Sequence, residues 1–338
     1  MKTLNNVTII YQSILADITT SHGKFSRLIW NDTNCIPTLY VIDAVQKTRE
    51  FCIRWNTKTM CSLSQLPRWG GIQITIAEIN EYPSACGNYL IFEQLPDYEA
   101  DIFETVIADL EENIQDISDD QTLSTVVQNV LLKWKEFFSI SPDFQLSLEK
   151  QQGLYGELLF LKKLIEQNGC SAVYQWSGPD AETHDFYIAG NAVEIKTSSK
   201  KTNNVIISSE SQLDQSNVSG DLYLVFYSLR HSKVDGESLH EIVSSIQQLL
   251  NNDLNAEREF KQKLFKTGYL IEKDDLYQEK FTLLNMQRYL VSSHFPKIIR
   301  SDLKNGISSV SYSLDLSVCE NYLIDSSYFE QNVLKLVI

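Results

Sequence analysis

The sequence predicts an α+β protein in two parts, and three observations predict it. Residues 35–95 contain four short runs rich in β-branched and aromatic residues, "CIPTLYVIDAV", "REFCIRWN", "GIQITIAEI" and "NYLIFEQL", separated by Asn, Pro and Gly; this is the pattern of a small antiparallel sheet. Residues 148–167 read as a long helix, closed by Asn168-Gly169. Beyond it, strand-like and helical runs intermingle, and "DLYLVFYSL" is almost continuously apolar, as expected of a strand buried on both faces. With 338 residues the chain has room for two domains. We expect a strand-rich N-terminal domain with two helices at 1–145, for recognition or partner docking, and an α/β domain with a C-terminal extension at 146–338.

The remaining elements follow in order. Residues 102–117 carry Phe103, Val106, Ile107, Leu110 and Ile114 on one helical face, and residues 123–138 do the same with Val126, Val127, Val130, Leu131 and Trp134. "SISPDF", with Pro142, breaks the chain. After the long helix come "AVYQW" as a strand, the run "HDFYIAGNAVEIKT" as a hairpin, "NVIISS" as a strand and a short helical piece near Gln212. Helices at 238–250 and 256–265, strand-like "FTLLNMQRYLV" and "SSVSYSLDLSV", and a final helix at 328–337 complete the reading.

Composition narrows the function classes. Hydrophobic residues make up 43% and charged ones 22%, as in a packed globular protein. No stretch is long and apolar enough to cross a bilayer, and the start "MKTLNNVTIIYQS" lacks the features of a signal peptide. Six cysteines without any CxxC read as reduced thiols in a cytoplasmic protein. There is no Walker motif, nucleophile elbow or dinucleotide fingerprint. The net charge of −15 argues against a chain that grips nucleic acid over its whole surface, since phosphate neutralisation supplies most of that affinity. Either nucleic acid is not the ligand, or a local basic patch or a partner provides the grip. Residues 78–120 contain no Lys or Arg; they form a solvated acidic face or a docking surface for a basic partner.

The hairpin carries the chemistry. Side chains alternate along a strand, so Glu194 and Lys196 share one face and Val193, Ile195 and Thr197 the other. Asp185 opens the preceding strand across an Ala-Gly-Asn turn, and antiparallel pairing brings it beside Glu194 to Lys196. Two carboxylates held together repel unless something positive lies between them. Oxygen-only donors suit Mg²⁺, with Mn²⁺ as a substitute, which keeps several waters and accepts substrate phosphate oxygens. A lysine beside the ion can orient a water or offset charge developing on phosphorus. Alone, a Glu-x-Lys pair is a common surface ion pair; Glu157, an acid inside the apolar run "GLYGELLFLKKLI", adds a further carboxylate that can point into the site.

Together, "GLYGELLFLKKLI", "WSGP", "HDF", "VEIKT" and "ISSESQLD" resemble the PD-(D/E)XK nuclease superfamily, and more narrowly the bacterial PD-(D/E)XK motif proteins of defence and restriction loci. The resemblance runs from about residue 153 to 229. It implies a restriction-endonuclease-like core, a central mixed sheet flanked by helices. It implies Asp185 and Glu194 as metal ligands, Lys196 as the catalytic lysine, and Glu157 as a helix acid that holds a metal or its water. Gln212 then lies near substrate or lysine. A literal Pro179-Asp180 stands just upstream; Asp185 is preferred, because it opens an apolar strand whereas Asp180 sits in a Gly-Pro-Asp turn. Ser209, a cap for the short helix or a phosphate donor, and Lys200, with Lys162, Lys163 and Lys201, are candidate substrate contacts. Arg54, Trp55, Arg68 and Trp69 mix cations and aromatics that can grip nucleic acid or close a core.

The reading that results is a Mg²⁺-dependent DNA endonuclease subunit of a prokaryotic defence or restriction system. The resemblance implies ATPase and methyltransferase partners and a 5′-phosphate product; the lack of a long apolar stretch implies no membrane partner. Cutting both strands needs two sites and so favours a homodimer or a second partner. Two alternatives remain: a nuclease-like subunit that binds DNA or scaffolds without cutting, and an acidic protein-interaction module.

Overall fold

In the computed structural model, described for residues 2–19, 22–30, 36–80, 82, 85–96, 98–140, 145–200, 203–271 and 276–334, the chain forms two units, Met1–Ser139 and Ile140–Ile338. Cys35, Lys201 and most of the "SISPDF" break lie outside the described residues.

The N-terminal unit contains α1 (Lys2–Asp17), β1 (Lys24–Trp30), β2 (Pro37–Asp43), β3 (Arg49–Arg54), β4 (Ile72–Ile79), β5 (Gly87–Gln94), α2 (Ala100–Ile114) and α3 (Asp120–Ile140). The strands form one antiparallel sheet in the order β1-β2-β3-β5-β4. Helix α1 corrects the purely strand-like reading of this region. Its β-branched residues mimic a strand, yet Val7, Tyr11 and Ile14 recur at helical spacing and are all buried. Tyr11 and Tyr40 meet edge to face at 5.2 Å, as do Tyr40 and Phe51 at 5.0 Å. Trp55 is 1% exposed and donates to the Cys61 carbonyl, and Trp69 stacks on Phe138. Both indoles are thus engaged inside this unit. Part of the acidic stretch is internal too: Glu104 pairs with Arg49 at 2.6 Å, and Asp109 with Lys133 at 2.9 Å.

The second unit contains α4 (Leu148–Asn168), β6 (Phe186–Ile188), β7 (Asn191–Ser198), β8 (Asn204–Ile207), β9 (Leu222–Ser232), β10 (Glu237–Ser238), α5 (Leu239–Leu250), α6 (Leu254–Lys266), β11 (Lys280–Leu290), β12 (Tyr312–Asp315) and α7 (Ser326–Phe329). The main sheet runs β10-β11-β9-β7-β6. It is mixed: β7 and β9 are parallel, the other pairs antiparallel. Central β9 is buried from Leu222 to Tyr227, which explains its unbroken apolar run. On one face Val193, Ile195, Tyr223 and Val225 pack against Leu158 and Leu161 of α4 and Ile242 of α5. On the other, Ala192, Leu224 and Phe226 pack against Val205 and Ile207 of β8 and Leu314 of β12; β8 and β12 pair as a separate ribbon.

Two local expectations change. Residues 170–175 form a 3₁₀ turn, Cys170–Gln175, instead of the "AVYQW" strand. The chain leaves α4 through Gly169 at φ +79°, and Ala172, Val173 and Trp176 drop into the helix-side core. The C-terminal helix shortens to α7 followed by a π turn at Glu330–Leu334; residues 335–338 are outside the described set. Among the described residues no helix is long and apolar enough to cross a membrane.

Candidate active site

Three local features bring the charged residues together. The β6–β7 turn has Ala189 at φ +49° and Gly190 at φ +87°, the left-handed pair that a tight two-residue hairpin requires. It sets Phe186 opposite Val193, so Asp185, one residue earlier, falls beside Glu194. The second feature is Gly156, where α4 crosses β7: a Cβ there would meet the Thr197 Cγ2 at 2.2 Å. Only a bare backbone lets the helix come this close, and Glu157 is the next residue. The third is Gly178, whose Cβ would lie 3.1 Å from both the Asp185 Oδ1 and the Glu157 Oε2. The Gly-Pro-Asp turn thus lies against both carboxylates.

Each side chain is held. The Ile195 backbone N–H donates to the Asp185 Oδ2 at 2.7 Å. The Trp176 Nε1 donates to the Glu157 Oε2 at 2.8 Å. Lys196 Nζ lies 2.9 Å from the Glu194 Oε1 and donates to the Gln212 Oε1 at 3.1 Å, an oxygen that also accepts from Ser208 N at 2.8 Å. Glu194 is 1% exposed, and its Oε2 is buried without a hydrogen-bond partner.

The electrostatics follow from burial. Burial, with the Ile195 N–H and Lys196 working against it, moves Asp185 up to about 6. Burial and then the Asp185 charge push Glu194 up to about 8. Burial and then Asp185 also hold Glu157 well above the ordinary range. Burial alone pulls Lys196 down, but Glu194 outweighs it and keeps the ammonium charged. Without a cation the cluster therefore retains protons. The donors fit a hard divalent ion held by few protein ligands, because the buried, unpartnered Glu194 oxygen beside Asp185 is the acceptor that such an ion would satisfy. Among the described residues no group of three or more His, Cys, Asp or Glu side chains is arranged as a metal cage, so an ion here would take the rest of its shell from solvent or substrate oxygens.

The other sequence candidates fall as follows. Asp180 has its carboxylate on Lys263 at 3.0 Å and on Lys266. Ser209 caps the 3₁₀ turn Glu210–Leu213, accepting from Ser211 N. Lys200 is exposed beyond the end of β7. Lys162 and Lys163 are paired with Glu237 and Glu330 at 3.6 and 2.6 Å. His184, the residue before Asp185 and not itself a candidate, is buried, with its Nδ1 3.1 Å from the Tyr187 hydroxyl. Sequence reasoning missed two positioning groups. Trp176 holds Glu157, and the buried Lys263 donates to the Trp176 carbonyl. The only hint of the first is the "WSGP" motif; the second is a long-range pairing without a sequence signal.

A helix acid, an acid at the head of a short edge strand and a Glu-x-Lys strand in a mixed sheet define a nuclease-like fold of the restriction-endonuclease type. The chain belongs to the family described as "Putative PD-(D/E)XK family member" (DUF4420), which matches residues 25–317. The match extends into both units. Neither a curated protein nor a solved structure matches the chain.

Proposed function

We propose that this protein is a metal-dependent DNA endonuclease subunit of a prokaryotic defence or restriction system. The observation that carries the reading is the Glu194 carboxylate, with one oxygen on Lys196 and the other buried and unpartnered. A buried unsatisfied acceptor costs about 1–3 kcal/mol, more when charged, and a cation removes that cost.

Asp185 and Glu194 would hold Mg²⁺, or Mn²⁺ in its place, with Glu157 supporting the site from α4. Such an ion supplies charge neutralisation and a more acidic water. Lys196, kept as an ammonium by Glu194 and aimed by Gln212, orients the attacking water and offsets charge on the phosphoryl oxygens. The water oxygen bonds to phosphorus as the P–O bond to the leaving oxygen breaks; the attacking water releases a proton to solvent, and the leaving oxygen takes one up from solvent. Lys200 and Ser209 would contribute phosphate contacts, and the N-terminal unit would recognise DNA or a partner such as an ATPase or methyltransferase. A second copy would supply the cut in the other strand.

Supercoiled plasmid incubated with Mg²⁺ or Mn²⁺ tests the reading. The wild type should nick it, and Glu194→Ala and Lys196→Ala should not. Nicking that survives both substitutions, or no metal-dependent nicking even with the neighbouring gene products present, would overturn it.

A further inference from the structure

The chain carries 44 acidic and 29 basic residues, yet one long segment reverses this balance. Between Lys280 and Leu314 stand Lys280, Arg288, Lys297, Arg300 and Lys304, against Asp302 as the single acid. The second half of that segment is mostly irregular and solvent-facing: Lys304 is exposed, Lys297 is half-buried, and the Arg300 side chain is 59% exposed.

This segment is pinned to the candidate active site. Val310 N donates to the Glu210 Oε2 at 2.8 Å. Arg300 Nη1 lies 3.9 Å from the Glu210 Oε1. Glu210 opens the 3₁₀ turn Glu210–Leu213, which carries Gln212, the acceptor for Lys196. Ile298 N donates to the Tyr312 hydroxyl at 3.2 Å, and Tyr312 pairs with Ile207 on the ribbon. Burial pushes that hydroxyl up, against the Ile298 N–H first and the Lys196 charge second.

We infer that residues 294–310 form a wall that binds the phosphate backbone of nucleic acid beside the candidate active site, with Lys297, Arg300 and Lys304 as its cations. The inference rests on the nuclease reading above and supplies the local grip that a net charge of −15 otherwise denies. The wall is preorganised, because Glu210 holds its backbone at Val310 and the Tyr312 hydroxyl holds it at Ile298, while Lys304 and much of Arg300 are left to solvent. Burial depresses Lys297, a cost that a nearby phosphate would offset. Exposed Ser308 and Ser309 in the same loop are of the type that donates to phosphate oxygens.

The test is binding of the full-length protein to short labelled duplex DNA, single-stranded DNA and RNA in EDTA, titrated with salt. Replacing Lys297, Arg300 and Lys304 together by Gln should weaken binding at least tenfold. It should flatten the slope of log affinity against log salt by roughly 2–3, since each duplex phosphate that is no longer neutralised removes about 0.9. Lys261→Gln, a single charge loss at an exposed position of α6, should change nothing, and Asp302→Asn should tighten binding. The three probes separate duplex from single-strand and RNA preference. Unchanged affinity and slope in the triple variant, no effect of Asp302→Asn, or no binding of any probe by the wild type would overturn the wall. Plasmid nicking is read separately. Metal-dependent nicking with a triple variant that binds like wild type sinks the wall alone; binding through the wall without nicking sinks the nuclease reading alone.

Discussion

Gly156 of α4 faces Thr197 of β7 so closely that a Cβ on the glycine would sit 2.2 Å from the Thr197 Cγ2. This close approach sets the height of the helix above the strand and delivers Glu157 to the carboxylates. Gly156→Ala should therefore force the two elements apart. Overpacking of this kind costs about 1–3 kcal/mol, a fall of roughly 2–4 °C in Tm per kcal/mol for a unit of this size. Thermal unfolding of the variant measures it. Thr197→Ser, which removes the opposing methyl, should restore part of the loss in the double variant; no rescue would separate the effect from this pair.

Gln212 and Lys196 make the second test. The Gln212 oxygen serves both Lys196 and Ser208 N, so Gln212→Leu removes two bonds at once. Half-buried Gln212 makes the net stability loss about 1 kcal/mol. Nicking should fall further than stability does, by about tenfold for each 1.4 kcal/mol lost in the transition state. Gln212→Glu keeps an acceptor for both donors and should unfold close to wild type. Equal activity in the Leu variant and the wild type would show that Lys196 needs no such guide.

Metal binding has a readout that needs no cleavage. A ligand that binds only the folded state stabilises it by about 2.7 kcal/mol at a hundred times Kd. Titration with Mg²⁺ or Mn²⁺ should raise the Tm of the wild type, and Glu194→Gln should abolish the rise, because the carboxylate that carries the unpartnered Oε2 becomes a neutral amide. A rise that persists in the variant would place the ion elsewhere.

The parts of the site that could be read in sequence are those governed by short-range rules. Period-two alternation puts Glu194 and Lys196 on one face, and an Ala-Gly turn fixes Asp185 beside them. The apolar run "LYLVFY" marks β9 because both of its faces are covered. Helix α1 was hidden because Val7, Thr8, Ile9 and Ile10 favour strands locally, and only packing against β2 and α2 overrides them. Residues 170–175 misled for the same reason. The link from Lys263 through the Trp176 carbonyl to the turn beside Glu157 spans 87 positions, and no local pattern encodes it. The wall at 294–310 is mostly irregular backbone, anchored to Glu210 across a hundred positions of chain.

Asp180, the literal Pro-Asp acid, is expected to act in stability and not in chemistry. Burial would raise its carboxyl, but hydrogen bonds from Lys266 and Lys263 outweigh this and hold it below the ordinary range. The sign then follows. A depressed folded-state pKa contributes stability that is present above the unfolded value of about 3.9 and lost as pH falls through the folded value. Asp180→Asn should thus lower Tm at neutral pH, and its difference from wild type should shrink as pH drops below about 4. Because Asp185 and Glu194 remain, the variant should still nick plasmid with metal. A Tm difference that is constant from neutral to acid pH would refute the ion-pair role, and loss of nicking in a folded Asp180→Asn would transfer the motif acid from Asp185 to Asp180.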